Sequence, residues 1–285
     1  MSPGTFQGYA AIVAREFGIQ LPPAKQALLE SRLYRLLRED GPAAAYGTAE
    51  NFLRALRQDT TGRLLGMLSE AITTHHTFFL READHFAFYR DEVLPYLERT
   101  IRDGDIRTWC AACSTGQESY TLAMLLADHF ALKGPQWERT LLATDLAHNV
   151  LAFAREGIYP SATVKELPKA WRRSYFQSVD AGHVQVVEAI RRQVIYRPFN
   201  LMTPVFPFRR PFHVIFCRNV MIYFDAPTRR QLVQKFADFL EPGGFLFVGH
   251  SEVIDRQAAP FFTYVMPSVY RKKADGQTRF LKTHG

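Results

Sequence analysis

Apolar positions recur at helical spacing through the first seventy residues. After residue 105 they give way to short apolar runs alternating with helices. Tyr9, Ile12, Val13 and Phe17 predict a helix over 6–17. Leu28, Leu29, Leu33, Leu36 and Leu37 predict a second over 24–38, entered at Pro22-Pro23 and stopped at Gly41-Pro42. Shorter helices are expected over 48–57 and 61–72. The stretch 73–82, TTHHTFFLRE, breaks the periodicity and reads as a packed hinge. Phe86, Phe88, Val93, Leu94 and Leu97 then predict one long helix over 83–102.

The second half predicts strands at 106–111, 141–145, 193–199, 213–217 and 245–248, with closing strands within 262–272. Helices between them, one over 226–240, make the pattern that of a parallel α/β sheet. Glu241-Pro242-Gly243-Gly244 reads as a turn. Residues 157–195 interrupt the alternation with Pro160, Pro168, a short helix near 169–175 and alternating runs at 174–179 and 183–188. They are expected to form a small inserted subdomain. A polar tail follows residue 274. The expected organisation is an all-helical domain at 1–75, a connecting segment and linker helix at 76–102, and an α/β domain at 103–285 with the insertion at about 157–195.

Composition narrows the class. With 47% apolar and 22% charged residues, the 285-residue chain has the make-up of a soluble globular protein. No run approaches the ~18 apolar residues of a membrane span, and the N-terminus lacks the basic-then-apolar order of a signal peptide. A cytoplasmic location without membrane insertion is expected. Cys110, Cys113 and Cys217 are an odd set that suits reduced thiols. The net charge of +7 points to an acidic partner: nucleic acid, a membrane surface or an acidic protein. Arg32, Arg35, Arg38, Arg54 and Arg57 on the N-terminal helices read either as a solvated surface or as a docking face for an acidic helix.

Candidate chemistry centres on RTWCAACSTGQESYTLAMLL, residues 107–126. It reads as strand, tight turn and helix, with small residues where a ligand can approach backbone at a helix N-terminus. The same residues offer a competing reading, since Cys110-Ala-Ala-Cys113 is a C-x-x-C before a helix, as in a dithiol redox centre. Asp145 ends the second strand, where a carboxylate accepts ribose hydroxyls or caps the next helix. Ser114 to Glu118, Asp145, Asn200 and Arg218-Asn219 follow successive strands and so fall along one sheet edge, which suits a nucleoside. No phosphate-loop lysine motif and no Ser-His-Asp arrangement is present. Two cysteines without nearby histidines do not complete a zinc site, and the His75-His76 pair lacks evident partners, so no metal is expected.

The motifs, taken in order, resemble the CheR-type chemoreceptor protein-glutamate O-methyltransferases over nearly the whole chain. Thr74–Glu82 is similar to the family's T-N-x-T-x-F-F-R-E, and Ala111–Thr121 to its nucleoside loop. Ala143–Leu146 resembles A-T-D-L, Asn200-Leu201 the N-L pair, Phe216–Phe224 the run F-C-R-N-V-M-I-Y-F, and Leu240–Glu252 the closing L-x-P-G-G-x-L-x-x-G-H-S-E. The resemblance implies a Rossmann-like S-adenosylmethionine methyltransferase domain behind an N-terminal all-helical domain, with a small inserted β-subdomain. It implies transfer of methyl groups to glutamates on the cytoplasmic helical domain of methyl-accepting chemoreceptors, by a monomer, with S-adenosylhomocysteine as product and no nucleic-acid partner. By matching position, His75, Thr77, Arg81, Ala112, Gly116, Glu118, Asp145, Asn200, Leu201, Arg218 and Asn219 would line the cofactor site, and Arg81 and Tyr223 would act on the reacting groups. His75 stands where the family has Asn, Gln117 and Ser119 where it has Glu and Pro, and Leu80 where it has Phe. Two other readings stand beside this one: a cofactor-binding signalling scaffold with little turnover, and a nucleic-acid methyltransferase.

Overall fold

The computed structural model describes residues 1–134, 136–254 and 260–274, so the tail expected beyond residue 274 lies outside it. Helices α1 (Pro3–Phe17), α2 (Gln26–Leu37), α3 (Ala49–Gln58) and α4 (Arg63–Ile72) form the N-terminal region. Their apolar stripes close on one core in which Tyr9, Val13, Leu29, Leu33, Phe52 and Leu68 are buried. Pro22-Pro23 leads into a 3₁₀ turn, Pro23–Lys25, so α2 begins two residues later than the pattern indicated. Ser2 caps α1, and Gly18 closes it in the left-handed conformation that glycine adopts without a Cβ clash.

The expected long helix is α5 (Ala83–Phe88) and α6 (Leu94–Thr100), joined by a π-turn at Tyr89–Val93. The wider turn seats Tyr89 and Val93 fully inside the core.

Seven strands form one sheet: β1 (Thr108–Ala111), β2 (Leu141–Asp145), β6 (Val194–Pro198), β7 (Phe212–Cys217), β8 (Leu240–Val248), β9 (Phe262–Met266) and β10 (Val269–Lys272). The order is β6-β2-β1-β7-β8-β10-β9, with the first five parallel and the last two returning antiparallel. The chain builds outward from β1 to β2 and β6, then crosses back to place β7 on the other side of β1. That reversal opens a crevice at the carboxyl ends of β1 and β7. Helices α7 (Gln117–Phe130), α8 (His148–Glu156) and α11 (Ala226–Asp238) connect the parallel strands.

Successive strand residues feed opposite cores, as a sheet covered on both faces requires. Cys110, Val214 and Phe216 face one core, where Phe86, Phe216 and Phe247 stack. Trp109, Ala111, Ile215 and Cys217 face the other. Trp109 is fully buried among Phe199, Phe206, Phe208, Phe212 and Phe236, and its indole N–H donates to Thr144 Oγ1 at 2.9 Å. The Glu241–Gly244 turn is absorbed into β8, where the register slips between Phe212 and Val214. A bulge lets a Pro-Gly-Gly sequence continue a strand.

A second sheet, β3-β5-β4 (Ile158–Pro160, His183–Val186 and Phe176–Ser178), carries α9 (Lys169–Tyr175) and lies within the expected insertion. The last residues of that stretch belong elsewhere: α10 (Glu188–Arg191) packs on α7, and Val194 opens β6 of the main sheet. Among the described residues no helix is long and apolar enough to cross a membrane.

Candidate functional site

The carboxyl ends of β1, β2, β6 and β7 meet the hinge segment 73–82 and the end of α1 around one cleft. It encloses about 1020 Å³ of space, open solvent at its mouth included. Of the residues expected there, His75, Thr77, Arg81, Ala112, Glu118, Asp145, Asn200, Leu201, Arg218, Asn219 and Tyr223 line it. Gly116 does not line the cleft. It is the N-cap of α7 at φ +96°, and a Cβ there would stand 2.9–3.0 Å from Ala154 Cβ, Tyr196 Oη and Tyr159 Oη. Its part is to let the loop turn into the helix.

The loop after β1 is held in an unusual shape. Ala112 and Ser114 both have positive φ, at 59° and 52°. Such residues cost roughly 1–3 kcal/mol each and persist where the surroundings impose them. Asp145 is one source of that constraint. Its Oδ2 accepts the Ser114 N–H at 2.8 Å and its Oδ1 the Ala147 N–H at 3.1 Å. Burial raises the Asp145 carboxyl, opposed by those two amides and by His75. The helix α8 starts at His148 with Ala147 as its cap residue, so Asp145 secures the turn ahead of the helix rather than capping it.

Arg218 is the electrostatic centre. Its side chain is 1% exposed and reaches Glu118 Oε2 at 2.7 Å and Glu82 Oε2 at 2.8 Å, with a further bond to the Arg81 carbonyl. Burial pushes the Glu82 carboxyl up, but hydrogen bonds from Asn219 and Arg218 and the Arg218 charge outweigh it and hold it at about 2. Glu82 itself sits at φ +57° and Asn219 at φ +59°. Glu252 fixes the next turn: its carboxylate accepts the backbone N–H groups of Gly249, Asn219 and Ile222 at 2.5–3.2 Å. This carries Tyr223, 36% exposed, to the cleft wall. Asn200 donates to the Glu16 carbonyl at 2.7 Å and accepts from Met202 N at 2.9 Å, so its amide ties α1 to the sheet.

Phe17, Ile19, Ile72, Leu146 and Phe199 supply an apolar wall that the sequence reading missed. It also missed Glu82, although the Arg-Glu pair ending the hinge motif was its signal. Glu82, His85 and His250 offer ligand atoms within 4.8 Å of one another, a grouping the sequence did not suggest. The Glu82 carboxylate there is already engaged by Arg218 and Asn219.

The cysteines do not form a dithiol centre. Cys110 faces the core and bonds Glu118 Oε1 at 3.3 Å, Cys113 lies in the loop, and burial pushes both thiols well above 9. A redox centre needs the opposite shift.

Of the five arginines, Arg35, Arg38, Arg54 and Arg57 are exposed and Arg32 is half-buried. Arg32 donates to the carbonyl of Ile72 and to Thr74 Oγ1, closing the end of α4, and lies in electrostatic reach of Arg35 and Tyr223. Arg38 pairs with Asp40 at 2.8 Å and Arg54 bonds Asn51 on its own helix. Arg57 lies over α1 at Gly8.

The donor set suits a nucleoside joined to an amino acid: a strand-end carboxylate for hydroxyls, a flat apolar wall, and a carboxylate–guanidinium pair for a zwitterion. Fold and cleft together define a Rossmann-like α/β protein with a cofactor site at its topological switch point. Residues 75–269 match the family model of the CheR methyltransferase SAM-binding domain, and the chain belongs to that family of S-adenosylmethionine-dependent methyltransferases. It is 39% identical over 264 residues to a chemotaxis protein methyltransferase of Borreliella burgdorferi, covering 92% of this chain and 91% of that one. A probable chemotaxis protein methyltransferase of Rhizobium etli is 36% identical over 272 residues, covering 94% and 99%. The chemotaxis protein methyltransferase of Escherichia coli is 34% identical over 255 residues, covering 88% and 85%.

Proposed function

We propose that this methyltransferase acts in the cytoplasm on glutamate side chains of the helical bundles of chemoreceptors. The observation that carries the reading is that Arg81 and Tyr223 stand together on the wall of a cofactor cleft in a chain of this methyltransferase family. The exposed Arg35 and Arg38 of the helical region would attract an acidic receptor helix. The helical region at 1–75 serves as the docking unit, 76–102 as the connection and 103–285 as the transfer unit.

S-adenosylmethionine supplies a sulfonium methyl that is already activated. The residues of this chain hold and orient. Asp145 takes nucleoside hydroxyls, the Phe199 and Leu146 wall takes the base, and Glu118 takes the ammonium end. A glutamate carboxylate, with a reference pKa of about 4.3, is ionised at neutral pH and needs no base. Arg81 and Tyr223 align it, an orientation effect. Arg81 is suited to this because, among the described residues, the one hydrogen bond of its guanidinium is to the His76 carbonyl, at 2.8 Å.

The test is incubation with methyl-labelled S-adenosylmethionine and receptor-bearing membranes. Base-labile label on receptor protein is expected. Reversing two exposed charges, Arg35→Glu with Arg38→Glu, should cut receptor methylation about tenfold, some 1.4 kcal/mol of docking energy, with S-adenosylhomocysteine affinity unchanged. Label on RNA would favour a nucleic-acid substrate, and tight cofactor binding without transfer a scaffold.

A further inference from the structure

His75 differs from its neighbours in the cleft because its hydrogen bonds decide which nitrogen carries the proton. Thr73 Oγ1 lies 2.7 Å from the Ser69 carbonyl oxygen and 2.8 Å from His75 Nε2. A carbonyl only accepts and a hydroxyl has one proton to give. Thr73 therefore donates to Ser69 and accepts from His75, which places the hydrogen of the neutral ring on Nε2 and leaves Nδ1 a bare acceptor. Among the described residues the bond at Nε2 is the ring's one hydrogen bond.

The surroundings disfavour the charged ring. Burial lowers its proton affinity, Arg32 from α2 adds to that effect, and Asp145 at the end of β2 and Glu70 from α4 oppose it. Ser114 links the two sites: its N–H donates to Asp145 at 2.8 Å and its hydroxyl to the His75 carbonyl at 3.3 Å. His75 and Asp145 both line the cleft.

We propose that His75 Nδ1 is a second hydroxyl acceptor beside Asp145 for the ribose of the cofactor, and that protonating His75 withdraws it. An imidazolium has no acceptor at Nδ1, and its charge is drawn to Asp145, so it competes with the ribose for that carboxylate. Cofactor affinity is then gated by pH. It is flat while the ring is neutral and falls as pH drops through the ring's pKa in the free protein, with a limiting slope of about tenfold in Kd per pH unit. The inference rests on the placement of the cofactor in this cleft.

The experiment is calorimetric titration with S-adenosylhomocysteine from pH 8 to pH 5 on the full chain. Wild type should weaken at low pH. His75→Asn should lose that dependence, since an amide does not titrate, and His76→Asn should keep it. Long-range nitrogen–proton NMR on the free wild-type protein should show the Nε2–H tautomer at His75, a readout that requires no variant to fold. A flat wild-type profile, a slope surviving in His75→Asn, or an Nδ1–H tautomer would overturn the proposal. Failure of every form to bind at pH 8 would overturn the cofactor placement itself.

Discussion

Replacing Glu82 by glutamine tests the centre of the site. Glu82 holds Arg218 and Asn219 at once, and its side chain is 12% exposed beside a guanidinium that is 1% exposed. The carboxyl shifts from 4.5 to about 2 on folding, which at 1.36 kcal/mol per unit corresponds to about 3 kcal/mol of stability. Glutamine keeps the shape and an acceptor oxygen but removes the charge, leaving Arg218 with Glu118 as its remaining ionic partner among the described residues. The sign follows from the lowered value: the contribution is present above pH 4.5 and is lost as pH falls toward 2. Urea denaturation at pH 7 should therefore show Glu82→Gln less stable by about 3 kcal/mol. The gap should narrow by about 1 kcal/mol on going to pH 4, because there the carboxyl of the unfolded chain protonates while the folded one stays ionised. S-adenosylhomocysteine affinity should fall about tenfold as Asn219 and the Arg218 head lose their anchor. A difference under about 0.5 kcal/mol at pH 7, or a gap that does not change with pH, would refute the assignment of Glu82 as the ionic anchor.

Arg81→Ala should lose turnover by about two orders of magnitude through misplacement of the cofactor or of the incoming carboxylate; unchanged cofactor affinity together with unchanged turnover would sink that role. Gly116→Ala should destabilise by about 3 kcal/mol, from the left-handed backbone and the close Tyr196 and Tyr159 hydroxyls; denaturant titration showing no loss would contradict the packing argument. Cys110 and Cys113 should react with a thiol reagent at neutral pH only as fast as the protein opens, since burial raises both thiols. Fast labelling of the native state, or loss of activity through a Cys110–Cys113 bridge under mild oxidant, would restore the dithiol reading.

Much of the architecture is legible because it is local. The run 141–145 is β2 to the residue, and 169–175 is α9. Apolar periodicity and turn residues act over a few positions, and nothing elsewhere in the fold overrides them there. The departures arise where tertiary packing outweighs local preference. The π-turn at Tyr89–Val93 is invisible to a 3.6-residue pattern, because the extra residue serves the burial of Tyr89 against Phe216 and Phe247. Glu241–Gly244 has turn chemistry, yet pairing with β7 draws it into a strand. The arginines recur along their helices, but the periodicity does not show that Arg32 turns onto the end of α4.

The site divides along the same line. Strand ends and the resemblance of ordered motifs identify the residues that surround the cleft, because in an open α/β sheet the carboxyl edge collects whatever follows each strand. What each side chain does there depends on partners far away in the chain. Arg218 is neutralised by Glu82 and Glu118, Asn200 is turned back on the end of α1, and Asn219 is held by Glu82 and Glu252. The sequence by itself determined the class of fold, the edge that carries the site and the residues at its rim. Only the tertiary structure decided which charges are paired and which loops are held at positive φ. Those are matters of distance and desolvation between segments far apart in the chain, such as Asn200 and Glu16, 184 residues apart, which no local pattern encodes.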